Sequence, residues 1–245
     1  MSYKTIIVKE EMISQIILNR PEKRNAMNKE LLEELLDAFR MLDAKKHVHV
    51  IILKGEGKGF CSGADLNVIC SNSMTILQKR EYMKGLPDVI KAMNSLSKVI
   101  IAQVHGFALA GGFGLAMSAD LVVCSDDAKL GMPEVKKGLM PMNIMSPVNR
   151  VVHKRKLLEM MFTGEHISPQ EALIYGMINK VSTQENLEKE TIELAQKICC
   201  NNQDIIKLGK EAYYTIQDME FMKSFNYLND MLMMTIMAED PQSKI

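Results

Sequence analysis

The chain has 245 residues, with 30 Lys+Arg against 30 Asp+Glu, so its formal charge is zero; aromatic residues make up 5%, and Trp is absent. This balance lacks the basic footprint of a nucleic-acid binder, and no run of eighteen apolar residues offers a transmembrane helix. A hydrophobic content of 47% over this length supports one large domain, or a core domain with a helical appendage.

In chain order, residues 5–8 and 12–18 read as two strands around a Glu10-Glu11 turn, followed by a loop from Asn19 to Met27. Asn28 can cap a helix whose apolar stripe is Leu31, Leu35, Phe39 and Leu42, with Leu32 and Leu36 beside it. Residues 48–53 read as a buried strand, and 55–60 form a glycine-rich loop that is neither a Walker motif nor a G-x-G-x-x-G fingerprint. Residues 74–96 read as helix, broken near Gly85-Leu86-Pro87. The apolar, β-branched run Val99–Val104 is a buried strand.

Small residues follow at Ala108, Ala110, Gly111, Gly112 and Gly114, then a short helix over 115–119 and a strand over 121–124. Glycines at a strand-to-helix turn let the backbone approach a ligand and leave free N–H groups at the helix start, which favour a negative oxygen. Met132-Pro133-Glu134 then fixes one carboxylate beside a proline. An anion site with one placed carboxylate is the minimum equipment for forming and quenching an enolate. On spacing alone the same residues also read as a tight turn, with a favourable acid in the first turn of a helix behind Pro133.

Strand and helix alternate to about residue 135, which is an α/β pattern. A helix is expected over 148–162. Ser168-Pro169-Gln170-Glu171 is a capping box with Pro at the first helical position, and Gly176 stands where the helix should end. Residues 177–181 are extended, and 186–238 carry two or three amphipathic helices. The division expected is a core over 1–185 and a helical region over 186–245 within one functional unit. His105 and Asp120 read as structural, one hydrogen-bonded after a strand and the other capping or pairing. The 21 methionines read as core or interface filler. Five cysteines, Cys61, Cys70, Cys124, Cys199 and Cys200, are odd in number and irregular in spacing. They fit free thiols in a reducing compartment, here the cytoplasm, better than disulfides or a metal centre. The opening Met1-Ser2-Tyr3-Lys4-Thr5 holds no signal-peptide core.

Five stretches in order resemble the crotonase family, the enoyl-CoA hydratases and isomerases. Leu18-Asn19-Arg20-Pro21 with Asn25-Ala26-Met27 is similar to its N-R-P-x-x-x-N-A-[LM]. Gly59-Phe60-Cys61-Ser62-Gly63-Ala64-Asp65-Leu66 is similar to its F-x-[AS]-G-[AG]-D-[LI], and residues 104–112 to its V-x-G-x-A-x-G-G-G. Met132-Pro133-Glu134 with Gly138 and Pro141 resembles P-E-x-x-x-G-x-x-P. Phe162-Thr163-Gly164, Ile167-Ser168 and Glu171-Ala172 resemble T-G-x-x-[IL]-x-A-x-E-A.

The resemblance implies a crotonase-like α/β spiral of β-β-α turns with a C-terminal helical region, an acyl-CoA substrate, and a homotrimer or homohexamer. Coenzyme A enters as part of the substrate, with no separate cofactor and no metal. The thioester oxygen would lie between the N–H groups of Ala64 and Gly111, with Gly112 beside them and Glu134 as proton carrier. CoA would run along Lys23, Arg24 and Ala26 and along Cys61, Ser62, Gly63, Ala64, Asp65 and Leu66.

Two departures bear on the reaction. Many hydratases carry a second glutamate three residues after the oxyanion glycine, where this chain has Gly114. Met142-Asn143-Ile144-Met145 replaces a second glycine-rich piece, so the wall near Met142 should be bulkier and more apolar. The short terminal helix usual in the family, with its aromatic and basic residues, has no counterpart at 241–245. One glutamate suits double-bond isomerisation, with hydration or lyase chemistry alongside. A non-catalytic acyl-CoA binder or assembly subunit is the alternative, and a dinucleotide-dependent oxidoreductase is disfavoured for want of the fingerprint.

Overall fold

The aliphatic runs pair into one large sheet. In the computed structural model, which describes residues 3–65 and 74–238, β1 (Ile6–Lys9) and β2 (Ile13–Leu18) form an antiparallel hairpin. To β2 are added, in parallel, β3 (Val50–Gly55), β4 (Val99–Val104), β6 (Leu121–Ser125) and β9 (Lys180–Ser182), giving the order β1-β2-β3-β4-β6-β9. Every residue of β4 is buried. Strands alternate faces, so Val50, Ile52, Val99, Ile101 and Val123 form one cluster, while Ile51, Leu53, Ile100 and Ala102 join the main core on the other side. Burial on both faces is why these strands read as continuous apolar runs rather than alternating ones.

A second sheet, β5-β7-β8, is built from β5 (Phe107–Leu109), β7 (Lys129–Gly131) and β8 (His166–Ile167). These pieces are two or three residues long, too short to show a period, and the sequence reading passes over all three. The chain therefore climbs from β4 through β5 into α3 (Gly111–Met117), then from β6 through β7 into a 3-10 turn at Pro133–Lys137. These are successive turns of the expected spiral. α3 starts at Gly111, earlier than the 115–119 expected, because the glycines themselves are helical.

α1 (Lys29–Asp43) is capped by Asn28, whose side chain accepts the Leu31 N–H, and it buries Leu31, Leu35, Phe39 and Leu42. α2 (Ile76–Ser95) runs unbroken through Pro87, contrary to expectation. Proline removes the N–H that the Met83 carbonyl needs, and the Asn143 side-chain amide supplies a donor instead at 2.8 Å. The single helix expected over 148–162 is two, α4 (Met142–Asn149) and α5 (Lys154–Thr163). Between them the Arg150 and Val151 N–H groups fall back to the Pro147 and Val148 carbonyls, and the tightened turn ends α4. α6 (Pro169–Ile174) keeps the Ser168–Glu171 capping box, and Gly176 closes it at φ 72°.

Three helices follow. α7 (Leu187–Cys199) lays Leu187 and Ala195 on the Val50–Val99–Val123 face of the large sheet. α8 (Gln203–Ile216) is tied to that sheet through Asp120, which pairs with Lys210 at 2.7 Å and accepts from Tyr214 Oη at 2.8 Å and the Ile100 N–H at 2.7 Å. Asp120 is thus structural, as is His105, whose Nε2 lies 2.9 Å from the Gly57 carbonyl. α9 (Phe221–Ala238) packs on α8. Among the described residues Cys61, Cys124, Cys199 and Cys200 are free thiols, while Cys70 and residues 241–245 lie outside them.

Candidate active site

The loop after β3 and the loop that follows the 3-10 turn Pro21–Lys23 run side by side, joined by an isolated parallel bridge between Met27 and Ala64. The Met27 N–H donates to the Gly63 carbonyl at 2.8 Å, and the Asp65 N–H donates to the Met27 carbonyl at 2.9 Å. The Gly63–Ala64 peptide is planar and trans, so the Ala64 N–H points opposite to that bonded carbonyl, away from Met27. No acceptor meets it among the described residues.

The start of α3 comes up beside it. The Leu109 N–H donates to the Cys61 carbonyl and the Ala110 N–H to the Gly131 carbonyl. Ala110 then turns sharply, at φ 50° and ψ −128°, and the Gly111 N–H is left with no acceptor among the described residues. A Cβ on Gly111 would stand 3.7 Å from the Ala64 nitrogen, so the two N–H groups are neighbours. A Cβ on Gly112 would overlap the Cys61 carbonyl oxygen, so glycine is what lets the two loops close together.

Ala64, Gly111 and Glu134 share one cavity of about 750 Å³. Tyr82, Met83 and Leu86 of α2 form one wall, and Leu139, Met140, Met142 and Ile144 form another. Lys23, Arg24 and Lys137 bring positive charge to its lining, and the Arg24 guanidinium stacks 4.5 Å over the Phe107 ring. Arg24 and Asn25 both hold positive φ, at 54° and 53°. Buried Asn25 secures that conformation: its amide donates to the Glu56 and Gly59 carbonyls and its oxygen accepts the Arg20 N–H, each at 2.9 Å. Glu134 opens the 3-10 turn behind Pro133, and its Oε2 is buried with no hydrogen-bond partner among the described residues. Burial lifts its carboxyl above the ordinary range, and its own backbone N–H pulls weakly the other way.

Of the residues expected at the site, Glu134, Ala64, Gly111, Lys23, Arg24, Ala26, Ser62, Asp65 and Met142 line the cavity. Cys61, Gly63 and Gly112 do not; they are buried behind its wall. The Cys61 thiol donates to the Asn25 carbonyl at 3.1 Å, and burial pushes it up to about 12, so the thiol is a packing group. Leu66 lies outside the described residues. The wall over Gly114 is Ile144, not the exposed Met142: a Cβ on Gly114 would overlap Ile144 Cγ2. No side chain at 114 can enter the cavity while Ile144 is there.

Tyr82, His166 and Lys137 line the cavity unannounced by sequence reasoning. The spacing of Tyr82, Leu86, Val89 and Met93 signals a buried helix face but not what it faces. His166 carries no signal; its burial, then Lys136 and Lys129, lower its proton affinity and keep it neutral at pH 7. No helix among the described residues is long and apolar enough to cross a membrane.

Comparison with known proteins agrees with this geometry. The family model described as enoyl-CoA hydratase/isomerase matches residues 8–244. The chain is 33% identical to the crotonyl-CoA hydratase of Syntrophomonas wolfei, over 86% of this chain and 82% of that one. It is 31% identical to the mitochondrial enoyl-CoA hydratase domain-containing protein 3 of Xenopus laevis, over 97% of this chain and 81% of that one. The crystal structure of an enoyl-CoA hydratase of Mycobacterium smegmatis superposes with a TM-score of 0.93 at 26% identity, covering 97% of this chain and 92% of the other. A cavity floored by two free N–H groups, a carboxylate at its side and a match along almost the whole length place this chain in the enoyl-CoA hydratase/isomerase family.

Proposed function

We propose that the chain holds an acyl-CoA thioester with its carbonyl oxygen between the N–H groups of Ala64 and Gly111, and that Glu134 carries the proton. The observation that supports this is the meeting, in one cavity, of two N–H groups without acceptors and a buried carboxylate oxygen without a donor, among the described residues. A thioester α-proton is a poor acid because its enolate is unstable. Two preorganised donors stabilise the enolate oxygen, and losing one such donor typically costs about 10²–10³ in rate. Burial raises the proton affinity of Glu134 toward the working pH, as a proton carrier requires.

The reaction favoured is double-bond migration in an enoyl-CoA. Glu134 takes the α-proton of a 3-enoyl thioester, and the electron pair moves onto the thioester oxygen. The same carboxyl returns the proton to the γ-carbon as the carbonyl re-forms, leaving the conjugated 2-enoyl thioester. One carboxylate suffices. Hydration needs a group that holds water as well, and Ile144 fills the space where a second acid at position 114 would stand. Hydration is the second reading, favoured by similarity to a crotonyl-CoA hydratase. Lys23, Arg24 and Lys137 supply charge for the CoA phosphates, with Ser62 and Asp65 along the pantetheine path. Coenzyme A is part of the substrate. The working form is a homotrimer or homohexamer, and free thiols fit a cytoplasmic setting.

Turnover of crotonyl-CoA and of a 3-enoyl-CoA separates this enzyme from a non-catalytic acyl-CoA binder. Glu134→Gln keeps the shape and removes the base. Its turnover on the better substrate is expected to fall about 10²–10⁴-fold with CoA affinity little changed. Full activity in the variant, or none in the native chain, overturns the reading.

A further inference from the structure

An N–H group in a loop serves an oxyanion only if its peptide is held still. Ala64 belongs to no strand or helix, and among the described residues its bridge to Met27 is the backbone contact that orients it. That bridge has a third member. The Tyr82 hydroxyl reaches in from α2, donates to the Met27 carbonyl and accepts the Asp65 N–H at 3.3 Å. It is 6% exposed, at the edge of the cavity. From another direction Arg20 donates to the Ala26 carbonyl and pairs with the Asp65 carboxylate at 3.4 Å. Both residues that flank the Ala64–Met27 contact, Asp65 and Ala26, are therefore tied down.

We propose that Tyr82 is a positioning residue, whose hydroxyl, by holding the Met27 carbonyl and the Asp65 N–H, fixes the Met27–Ala64 bridge and so aims the Ala64 N–H at the thioester oxygen. This rests on the reading of Ala64 and Gly111 as the oxyanion donors. The Tyr82 proton is committed to the Met27 carbonyl, so Tyr82 does not carry the proton of the reaction. Burial pushes the phenol up to about 12 and keeps it neutral through the working range. A small misplacement of a catalytic group is enough to matter, since about 1 Å can cost on the order of 10²-fold.

The test is Tyr82→Phe, which keeps the ring and removes the hydroxyl. With crotonyl-CoA or a 3-enoyl-CoA, whichever the native chain turns over, kcat is expected to fall about 10-fold. KM and the affinity for CoA alone, which has no thioester oxygen, should stay within about twofold, because the lost alignment matters most where charge develops. The kcat–pH profile should drop evenly without moving its acid limb. An unchanged kcat, whatever happens to the thermal midpoint, makes Tyr82 merely structural and overturns the proposal. A displaced acid limb makes it a proton carrier and also overturns it. Should Tyr82→Phe not fold, Tyr82→Leu, which keeps an apolar side chain at the cavity edge and also lacks the hydroxyl, is expected to show the same kcat-selective loss, and an unchanged kcat there overturns the proposal equally. A native chain that turns over neither substrate brings down the oxyanion reading itself; a native chain that does, with variants unimpaired, brings down only the role of Tyr82.

Discussion

Glu134 sits where it costs the fold stability. A carboxyl that binds its proton more tightly in the folded state favours the fold only while protonated. Below the ordinary carboxyl value of about 4.3 both states are neutral and the burial carries no charge penalty. As pH rises through the higher folded value, the charged form is disfavoured in the fold and stability is lost. Glu134→Gln is therefore expected to raise the thermal midpoint at pH 7, with the gain vanishing as pH falls to about 4; calorimetry across that range checks it. Ala110 is a second strained residue, at φ 50° and ψ −128°, a conformation that glycine adopts more readily. The crotonase pattern has glycine there. Ala110→Gly should stabilise the chain by about 1 kcal/mol after the entropy of glycine is counted, a rise of roughly 2–4 °C in thermal midpoint. An unchanged or lower midpoint would show that Ala110 is not strained.

At the scale of elements, α2 and α4 are coupled through one carbonyl. Pro87 strips the Met83 carbonyl of its helical donor and Asn143 replaces it. Asn143→Ala is expected to cost about 1 kcal/mol in denaturant melts, and almost nothing in a Pro87→Ala background, where the backbone N–H restored at position 87 donates to the Met83 carbonyl itself. Equal costs in both backgrounds would contradict the coupling. The same pair explains why sequence reasoning places a break here: a proline signals one, while the compensating amide arrives from a distant segment. The runs at β3 and β4 are legible because burial on both faces writes itself as an unbroken apolar string. β5, β7 and β8 are not, since two or three residues carry no period. The site divides the same way. Ala64, Gly111 and Glu134 stand in recognisable motifs, whereas Tyr82 and Ile144 reach the cavity from helix faces whose targets depend on packing. Cys61 and Gly112 lie inside motifs yet behind the wall, because adjacency in sequence does not fix which side of a loop meets the cavity.

For the whole molecule, one feature that a single chain does not account for among the described residues is the bare surface of α9. Ser224 and Met231 are its buried residues against the rest of the chain. Phe221, Phe225, Leu232 and Met237 remain 72%, 55%, 56% and 81% exposed, and Met222, Met233 and Met234 are exposed beside them. So many exposed apolar side chains on one helix mark a place for association. The zero formal charge adds no net repulsion between copies. If the proposed homotrimer or homohexamer forms, light scattering at micromolar concentration should give three or six times the mass of one chain. Phe225→Glu with Leu232→Glu places two charges on that face without touching the cavity residues or the buried Met231. The double variant should shift toward monomer while keeping its circular dichroism. A native chain that runs as a monomer removes the assembly; a variant that stays assembled moves the interface off α9.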